Sequence, residues 1–475
     1  MSTRVTVVGA GPGGYVAAVR AAQLGAEVTV VEKGSPGGVC LNWGCIPTKT
    51  LMATTELAEK MKKADELGLR LAAQPEIDLE ALMDRKDRVV QGLIQGIQGL
   101  FKHHGIRLVQ GEARLERSGS VHVVSKDSEE TVVWDRLILA TGSRSAGLPG
   151  LEIDGRRILS SRHVLSLRQL PQTALIVGGG VIGCELAGIL KSLGVEVTIV
   201  EAMPRLLPLP SVDADCSKLF EREMKKRRIP FVVNRGVQDC RETDGGLKVS
   251  LGPSPFIDES QASRIQPQEL EVEAVILSVG RRPIHDGIGL ETLGVSLDER
   301  GWVAVDDGLR TSAEHVYAVG DMLGPDRIQL AHVAYAEAAV AAENAMGGQV
   351  SMRYDQIPGA IFTSPEIACV GLTESQAREQ GFEVYTATSL FRTLGKAQAA
   401  GEIAGQGKIV YDLNGKVLGV HLIGPKATEL ISEGTLALHL GAGVEDIAGT
   451  IHPHPTLSEI MPEMAWKALG RSLHG

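Results

Sequence analysis

The feature that most constrains this chain is a unit that occurs twice. Val5-Thr6-Val7-Val8 is a short apolar run of strand type, and Gly9-Ala10-Gly11-Pro12-Gly13-Gly14 follows it as a G-x-G-x-x-G pattern. Tyr15 to Leu24 reads as an Ala-rich amphipathic helix closed by Gly25, and Glu27-Val28-Thr29-Val30-Val31 as a second strand ending on Glu32. Together these parts make a dinucleotide-binding unit: the glycines admit a pyrophosphate to the backbone, the helix N-terminus binds it, and the acid takes a ribose hydroxyl. A glycine turn alone fits many α/β folds; the five parts in order make the reading specific. The order returns in Ala174-Leu175-Ile176-Val177, Gly178-Gly179-Gly180-Val181-Ile182-Gly183, a helix Cys184 to Leu193, Gly194, and a strand Val195 to Val200 ending on Glu201. In both copies 23 positions separate the first glycine from the acid. A chain with two such sites can pass a hydride from one bound cofactor to the other.

Just after the first unit comes Gly37-Gly38-Val39-Cys40-Leu41-Asn42-Trp43-Gly44-Cys45-Ile46-Pro47-Thr48-Lys49, with two cysteines five positions apart. Pro47 fits the opening position of a helix, where its missing N–H costs nothing. Cys45 then lies at the positive end of that helix, where a thiolate is stabilised. The residues leave three readings open: a redox disulfide, two loop thiols, or half a metal site. Metal pairs usually sit closer together and need further Cys or His ligands nearby, and none follows, so no metal is expected.

Composition narrows the class. The 475 residues suggest about three domains of about 150 residues each, and 43% hydrophobic with 22% charged residues fits globular domains. A net charge of −10 argues against nucleic acid. No stretch is long and apolar enough to span a bilayer, and Met1-Ser2-Thr3-Arg4 leads into a strand without a signal-peptide pattern. Six cysteines in this length are not a disulfide scaffold. Cys184, Cys216, Cys240 and Cys369 are scattered and read as ordinary residues, so a reducing, cytoplasmic compartment with one dithiol pair is expected.

Along the rest of the chain, Thr50 to Lys63 and Asp78 to His104 read as helices, and Leu108 to Leu115 and Val121 to Ser125 as strands. Leu137-Ile138-Leu139-Ala140-Thr141-Gly142-Ser143 is a buried strand ending in small residues that let a ligand approach. Ala274 to Val279, Ala304 to Leu309 and Val316 to Val319 read as strands, the last ending on Gly320-Asp321, and Gln329 to Met346 as a long helix. From about residue 350 strands and helices alternate without a glycine fingerprint, which reads as a separate α+β domain. Its strands are Ile367 to Gly371, Phe382 to Ser389, Gly407 to Asp412 and Val417 to Ile423; its helices are Glu374 to Gln380, Ala427 to Leu440 and Glu459 to Leu469.

These residues, in this order, resemble the disulfide-dependent flavoprotein reductases over essentially the whole length, the dihydrolipoyl dehydrogenase branch most closely. The markers are the two fingerprints, the G-x-C-x₄-C-x-P-x-K stretch, Ala140-Thr141-Gly142, Gly280-Arg281-Arg282-Pro283, Val319-Gly320-Asp321 and His452-Pro453-His454-Pro455-Thr456-Leu457-Ser458-Glu459. The resemblance implies an α/β fold: two Rossmann-like dinucleotide-binding domains plus a C-terminal α+β dimerisation domain. It implies FAD on residues 1–147, NAD on 148–275, a central FAD-completing domain at 276–346 and an interface domain at 347–475. A homodimer acting on lipoyl domains of 2-oxo acid dehydrogenase complexes or of the glycine cleavage system is implied with it.

Carried over residue by residue, Cys40 is the interchange thiol and Cys45 the thiol against the flavin. Lys49 lies beside the flavin's reactive nitrogen and pairs with Glu185. His454 is the acid/base, oriented by Glu459 and serving the other subunit's disulfide, with a cis peptide to Pro455. In the first unit and the cysteine stretch the implied cofactor contacts are Gly9, Gly11, Pro12, Gly13, Gly14, Glu32, Lys33, Gly38, Val39, Cys40 and Lys49. Further along they are Ala113 at the adenine, Ala140, Thr141, Gly142, Ser143, Gly178, Gly180, Val181, Ile182, Gly183, Glu185 and Glu201. Val237 and Gly280 touch the nicotinamide cofactor; Arg281, Gly320, Asp321 on the ribityl chain, Gln329, Leu330, Ala331 and His332 complete the set.

Three positions depart from the family pattern: Val39 for a Thr, Ile284 for an Asn and Phe362 for a Tyr. They bear on fine tuning, not on reaction type. Glu459 has two jobs open to it, because Thr456-Leu457-Ser458-Glu459 is also a T-x-x-E capping box. His452 reads as structural, and His103, His104 and His332 as bystanders to proton transfer. Among sister enzymes, a glutathione-type reductase would favour basic residues at Glu201, and a mercuric-ion reductase would add a C-terminal cysteine pair, whereas this sequence ends Arg471-Ser472-Leu473-His474-Gly475. A transhydrogenase would lack Cys45. A flavin-binding scaffold without turnover would not need both cysteines, His454 and Glu459.

Overall fold

The apolar runs that flank each glycine turn are the centres of two parallel sheets. The structure, a computed structural model, describes residues 2–117 and 119–474; Met1 and Gly475, the outer ends of the expected first and last domains, lie outside them. The chain divides into two units. One comprises the residues up to Ala146, Ser160–Gln169 and Gly280–Tyr354; the other comprises Gly147–Leu159, Leu170–Val279 and the chain from Asp355.

In the first unit the sheet order is Val316–Ala318, Arg136–Leu139, Arg4–Val8, Glu27–Glu32, Arg107–Gln110, all parallel. Val5, Val7, Val8, Leu137, Ile138 and Leu139 are fully buried, as continuous apolar strands in a parallel sheet covered on both faces must be. Helix Pro12–Gln23 packs along helix Ala331–Ala345 through Ala17, Ala18, Ala21, Ala338 and Ala341, small residues that let the helices approach closely. A three-stranded antiparallel sheet, Glu112–Glu116, Ser120–Val124 and Glu129–Val133, is appended.

The second unit repeats this plan. Its sheet runs Phe231–Val232, Glu196–Val200, Thr173–Val177, Ala274–Leu277, Ile158–Ser160, and its antiparallel appendage is Arg235–Thr243, Gly246–Pro253 and Gln268–Val272. The duplication read from the glycines therefore extends to whole sheets. The C-terminal part adds a five-stranded antiparallel sheet, Gly359–Ile361, Glu366–Gly371, Val417–Gly424, Gln406–Asp412, Val384–Leu390. Helices Ala427–Leu440 and Ile460–Ala468 cover it. This is the α/β fold with a C-terminal α+β domain that the sequence implied.

Some elements differ from expectation. Both fingerprint helices start inside the glycine motif, at Pro12 and Val181, because an uncapped glycine turn leads straight into the first helical residue. Leu108 to Leu115 is two strands, Arg107–Gln110 and Glu112–Glu116, divided at Gly111, whose Cβ would lie 2.6 Å from Val123. Ala304 to Leu309 is not a strand. Asp306-Asp307-Gly308 turns the chain there, with the Asp306 carboxylate accepting from the Arg310 amide at 2.9 Å, and turn chemistry of this kind overrides β propensity.

Candidate active site

The first glycine turn has the shape a pyrophosphate cradle needs. Gly9 has φ of +100°, and a Cβ there would lie 2.4 Å from the Ala140 carbonyl oxygen. A Cβ on Gly14 would lie 1.8 Å from the Gly9 carbonyl oxygen. Helix Pro12–Gln23 has no side-chain cap, so its first amides point outward without an internal partner. Glu32 closes the turn: Oε2 accepts from the Ala10 amide at 2.7 Å and Oε1 from the Gly34 amide at 2.7 Å. Lys33 is exposed beside it, and Ala113 is buried on the appended sheet.

The cysteine stretch is built onto that turn. Gly38 has φ of +57°, and its Cβ would lie 2.6 Å from Gly11 Cα, so the chain can pass only as glycine. The Gly37 amide donates to the Ala10 carbonyl at 2.7 Å. Helix Gly38–Trp43 follows, breaks at Gly44, and helix Cys45–Met61 begins. The Asn42 side chain ties the break back to the Gly38, Pro36 and Ser35 carbonyls. Cys40 is half-buried in the first helix, and Cys45 is the first residue of the second, at its positive end. Pro47 is thus third rather than first in the helix, where an amide would still have no helical partner.

Both cysteines are thiols. A hydrogen bond with Cys45, and burial, push the Cys40 thiol far above its ordinary range, while Lys49 pulls it down. Lys49 stands one turn beyond Cys45 on the same helix. A cavity of about 350 Å³ opens on Cys40, lined also by Tyr15, Tyr335, Leu93, Ile97 and Leu100. The rings of Tyr15 and Tyr335 meet edge to face at 5.9 Å. Burial and a hydrogen bond with Tyr15 push the Tyr335 phenol up. The sequence reading missed these residues. The one signal was the Leu93, Ile97, Leu100 spacing, which any amphipathic helix also shows.

Residues far apart in sequence converge beyond Ala140. Ser143 donates to the Asp321 carboxylate. Arg281 donates from Nε to Ser143 Oγ at 2.6 Å and from Nη2 to the Ser143 carbonyl at 2.9 Å, and pairs with Asp321 at 3.2 Å. Gln329 donates to the Asp321 carbonyl at 2.9 Å. Thr141 donates to the Ile284 carbonyl, whose own amide donates to Gly142 at 3.0 Å; Ile284 makes these contacts through its main chain, so its side-chain change leaves them intact. Leu330 precedes helix Ala331–Ala345 without capping it, and His332 is exposed in its first turn.

The second glycine turn repeats the first: Gly178 has φ of +105°, with Cβ space blocked 2.5 Å away by the Ser278 carbonyl oxygen, and a Cβ on Gly183 would lie 2.0 Å from the Gly178 carbonyl oxygen. Helix Val181–Ser192 is likewise uncapped at Gly180. Glu201 is buried, with Oε2 accepting from the Gly179 amide at 2.6 Å and Oε1 from the Met203 amide at 2.7 Å. Val237 lies at a bulge of the appended sheet. Glu185, buried in the helix, accepts from the Phe362 amide at 2.9 Å, again a main-chain contact indifferent to the Phe side chain.

In the C-terminal part His454 Nδ1 meets Glu459 Oε1 at 2.8 Å, while Glu459 Oε2 accepts from the Thr456 amide at 2.8 Å. The imidazole is 75% exposed, so a proton donor can reach it. Burial raises the Glu459 carboxyl, but His454 and the Thr456 amide outweigh it and hold the group below its ordinary range. The His454–Pro455 peptide is cis, as the resemblance implied. His452 is wedged between Glu433 and the Thr450 carbonyl, a structural position.

Comparison with known proteins agrees with this geometry. Residues 3–338 match the pyridine nucleotide-disulphide oxidoreductases, and residues 357–465 match the dimerisation domain of the same group. The dihydrolipoyl dehydrogenase of Haloferax volcanii is 39% identical over 99% of this chain and 97% of its own length. That of Geobacillus stearothermophilus is 38% identical over 100% and 98%. The crystal structure of LpdA from Mycobacterium tuberculosis superposes with a TM-score of 0.88 at 28% identity, covering 98% of this chain and 99% of that one.

Proposed function

Because the chain belongs to the pyridine nucleotide-disulphide oxidoreductase family, we propose that it works as an NAD-dependent dihydrolipoyl dehydrogenase, oxidising protein-bound dihydrolipoyl groups through Cys40 and Cys45. The observation that carries this reading is the dithiol across the Gly44 break, fastened to a dinucleotide turn by the Gly38–Gly11 approach.

The residues present fit FAD on the first turn. The glycine cradle leaves no room for a Cβ, the helix N-terminus has free amides, and Asp321 is held in place by Ser143 and Arg281. Bound FAD supplies the two-electron acceptor that links dithiol to nicotinamide chemistry. NAD is assigned to the second turn, where the fixed carboxylate of Glu201 accepts from a ribose 2′-hydroxyl and repels a 2′-phosphate.

In the thiol half-reaction, His454 accepts a substrate thiol proton at Nε2, since Nδ1 is committed to Glu459. The substrate thiolate attacks Cys40 Sγ of the oxidised pair and displaces Cys45 as a thiolate, giving a mixed disulfide. The second substrate thiol attacks its partner sulfur, closes the lipoyl ring and releases Cys40 as a thiol. The helix N-terminus under Cys45 holds the resulting thiolate. Substrate has lost two electrons and two protons: the electrons reside in the reduced cysteine pair, one proton is on His454, the other is on Cys40, and Cys45 remains a thiolate.

We divide the chain as residues 1–147 for FAD, 148–275 for NAD, 276–346 completing the FAD site and 347–475 as the interface domain. The dimerisation domain makes the enzyme a homodimer. Its partners in this reading are lipoyl domains of 2-oxo acid dehydrogenase complexes or of the glycine cleavage system. A cytoplasmic location belongs to the same reading, since a reducing pool would keep Cys184, Cys216, Cys240 and Cys369 as thiols. Among the described residues no helix is long and apolar enough to cross a membrane. The test is a panel of dihydrolipoamide with NAD⁺ or NADP⁺, and of oxidised glutathione or Hg²⁺ with either reduced nicotinamide. Turnover is expected with dihydrolipoamide and NAD⁺. Turnover of glutathione or Hg²⁺ without dihydrolipoamide activity overturns the reading.

A further inference from the structure

Helix Ala331–Ala345 carries a buried acid that the reaction as described does not use. Glu337 is 1% exposed in a helix otherwise rich in alanine. Both of its carboxylate oxygens are occupied: Oε2 accepts from the Gly320 amide at 2.7 Å, and Oε1 from the Tyr354 hydroxyl at 2.7 Å. Gly320 opens the 3₁₀ turn Gly320–Leu323, which presents Asp321.

We propose that Glu337 is a positioning residue of the flavin site, fixing the Gly320 amide from inside the helix and so setting the pitch of the turn that aims Asp321 at the flavin. The inference rests on the flavin reading of Asp321. The other bonds on Asp321, from Ser143, Arg281 and Gln329, hold its own side chain and carbonyl; Glu337 instead holds the residue before it. An apolar side chain would pack as well against Val333, Ala334, Ala338 and Ala341, which are all buried. A carboxyl here is costly unless its hydrogen bonds do something a leucine could not.

The cost is visible in the acid itself. Burial pushes the Glu337 carboxyl up to about 7, against the pull of the Tyr354 hydroxyl, the Gly320 amide and Arg327, with Asp321 adding to the push. These are the groups that face it: Tyr354 from the segment after the helix, Asp321 from the turn, and Arg327 from the short 3₁₀ turn Pro325–Arg327, stacked 4.9 Å over the Tyr354 ring. Arg20, from the helix packed alongside, is engaged by Glu343 further along. Ionised, Glu337 accepts two bonds; protonated, it accepts from Gly320 and donates to the Tyr354 oxygen. Glutamine can do the second, and leucine can do neither.

That difference supplies the test, made on purified holoenzyme by following FAD release through flavin fluorescence in mild urea. E337L should release FAD about tenfold faster than wild type, the effect of one lost charge-assisted bond, and E337Q within about twofold. Y354F, which removes one donor, should fall between them. D321N should loosen FAD by itself, and E337L/D321N should release it well short of the product of the single effects, because residues acting through one network are non-additive. Wild-type release from E337L, equal release from E337Q and E337L, or multiplying effects with D321N overturns the proposal. Should E337L not fold, Y354F decides: wild-type release from it also overturns the proposal. If D321N holds FAD like wild type, the flavin reading of Asp321 falls; if D321N loosens FAD while E337L does not, only this inference does.

Discussion

Glu459 divides its two oxygens between fold and chemistry. One accepts the Thr456 amide, completing the capping box, and the other holds Nδ1 of His454. The two roles open in the sequence were never alternatives, because a carboxylate at the third position of a capped turn has one oxygen to spare, here for His454, two positions before the cap. H454Q should keep FAD and lower kcat/KM with dihydrolipoamide about 10²–10⁴-fold. E459Q should cost less, since it orients the base without carrying the proton. A wild-type rate in H454Q would move the base elsewhere. Glu337 makes a second prediction, in stability against pH. Below about pH 4.5 its carboxyl is neutral folded and unfolded, and there is no penalty. Between its ordinary value of 4.5 and the folded value of about 7 the unfolded chain releases the proton first, so the folded state loses ground as pH rises. The loss is complete above the folded value, at about 3 kcal/mol. Urea midpoints of E337Q should therefore gain on wild type from about pH 5 to pH 7.5. Parallel curves would mean that Glu337 ionises as an ordinary glutamate.

Among the elements, a row of polar residues crosses the C-terminal sheet. Cys369, His421 and Lys408 stand opposite one another on three neighbouring strands. Lys408 is buried, and its ammonium meets Asp213, Asp215 and Glu374 at 3.3, 3.0 and 2.9 Å. Asp213 is also the cap of helix Ala214–Lys226, so one cation fastens a helix of the second nucleotide unit to this sheet. K408M keeps the bulk and strands a buried carboxylate, and should cost about 3–5 kcal/mol in urea unfolding. A loss below about 1 kcal/mol would class the cluster with surface pairs. The Asp213 cap and the Cys216, Phe220, Met224 spacing mark this helix in the sequence, where it went unread; its anchoring was not legible, because the partner Lys408 lies far along the chain. The central strands were legible, since continuous Val, Ile and Leu runs fit little else. The half-exposed strand Arg235–Thr243 and the six-residue helix Gly38–Trp43 were not: one mixes Gly, Asp and Arg without alternation, and the other is too short to show a period. In the same way, residue identity marked Asp321 and Arg281 through family likeness alone; the Ser143 bridge between them is a property of the fold.

For the whole molecule, the dithiol belongs to the first unit and His454 to the second, and the reading of a homodimer has each chain serve the disulfide of the other. Mixing C45S with H454Q protomers tests it. The C45S homodimer should be inactive and the H454Q homodimer slowed about 10²–10⁴-fold, but a purified hybrid contains one complete site and should show roughly half the wild-type activity if the sites are independent. A hybrid that holds FAD at both sites and stays inactive would mean that each chain uses its own histidine. The two glycine turns carry a different consequence, for heredity. What excludes a side chain at Gly14 is the Gly9 carbonyl oxygen, and at Gly183 it is the Gly178 carbonyl oxygen. Every residue carries that oxygen, so no replacement elsewhere can clear the space. A core lesion can be rescued by shrinking a neighbour; a lesion here has no intragenic suppressor. Both turns are therefore free to stay fixed while everything around them drifts, and a lineage that loses either one regains it only by true reversion.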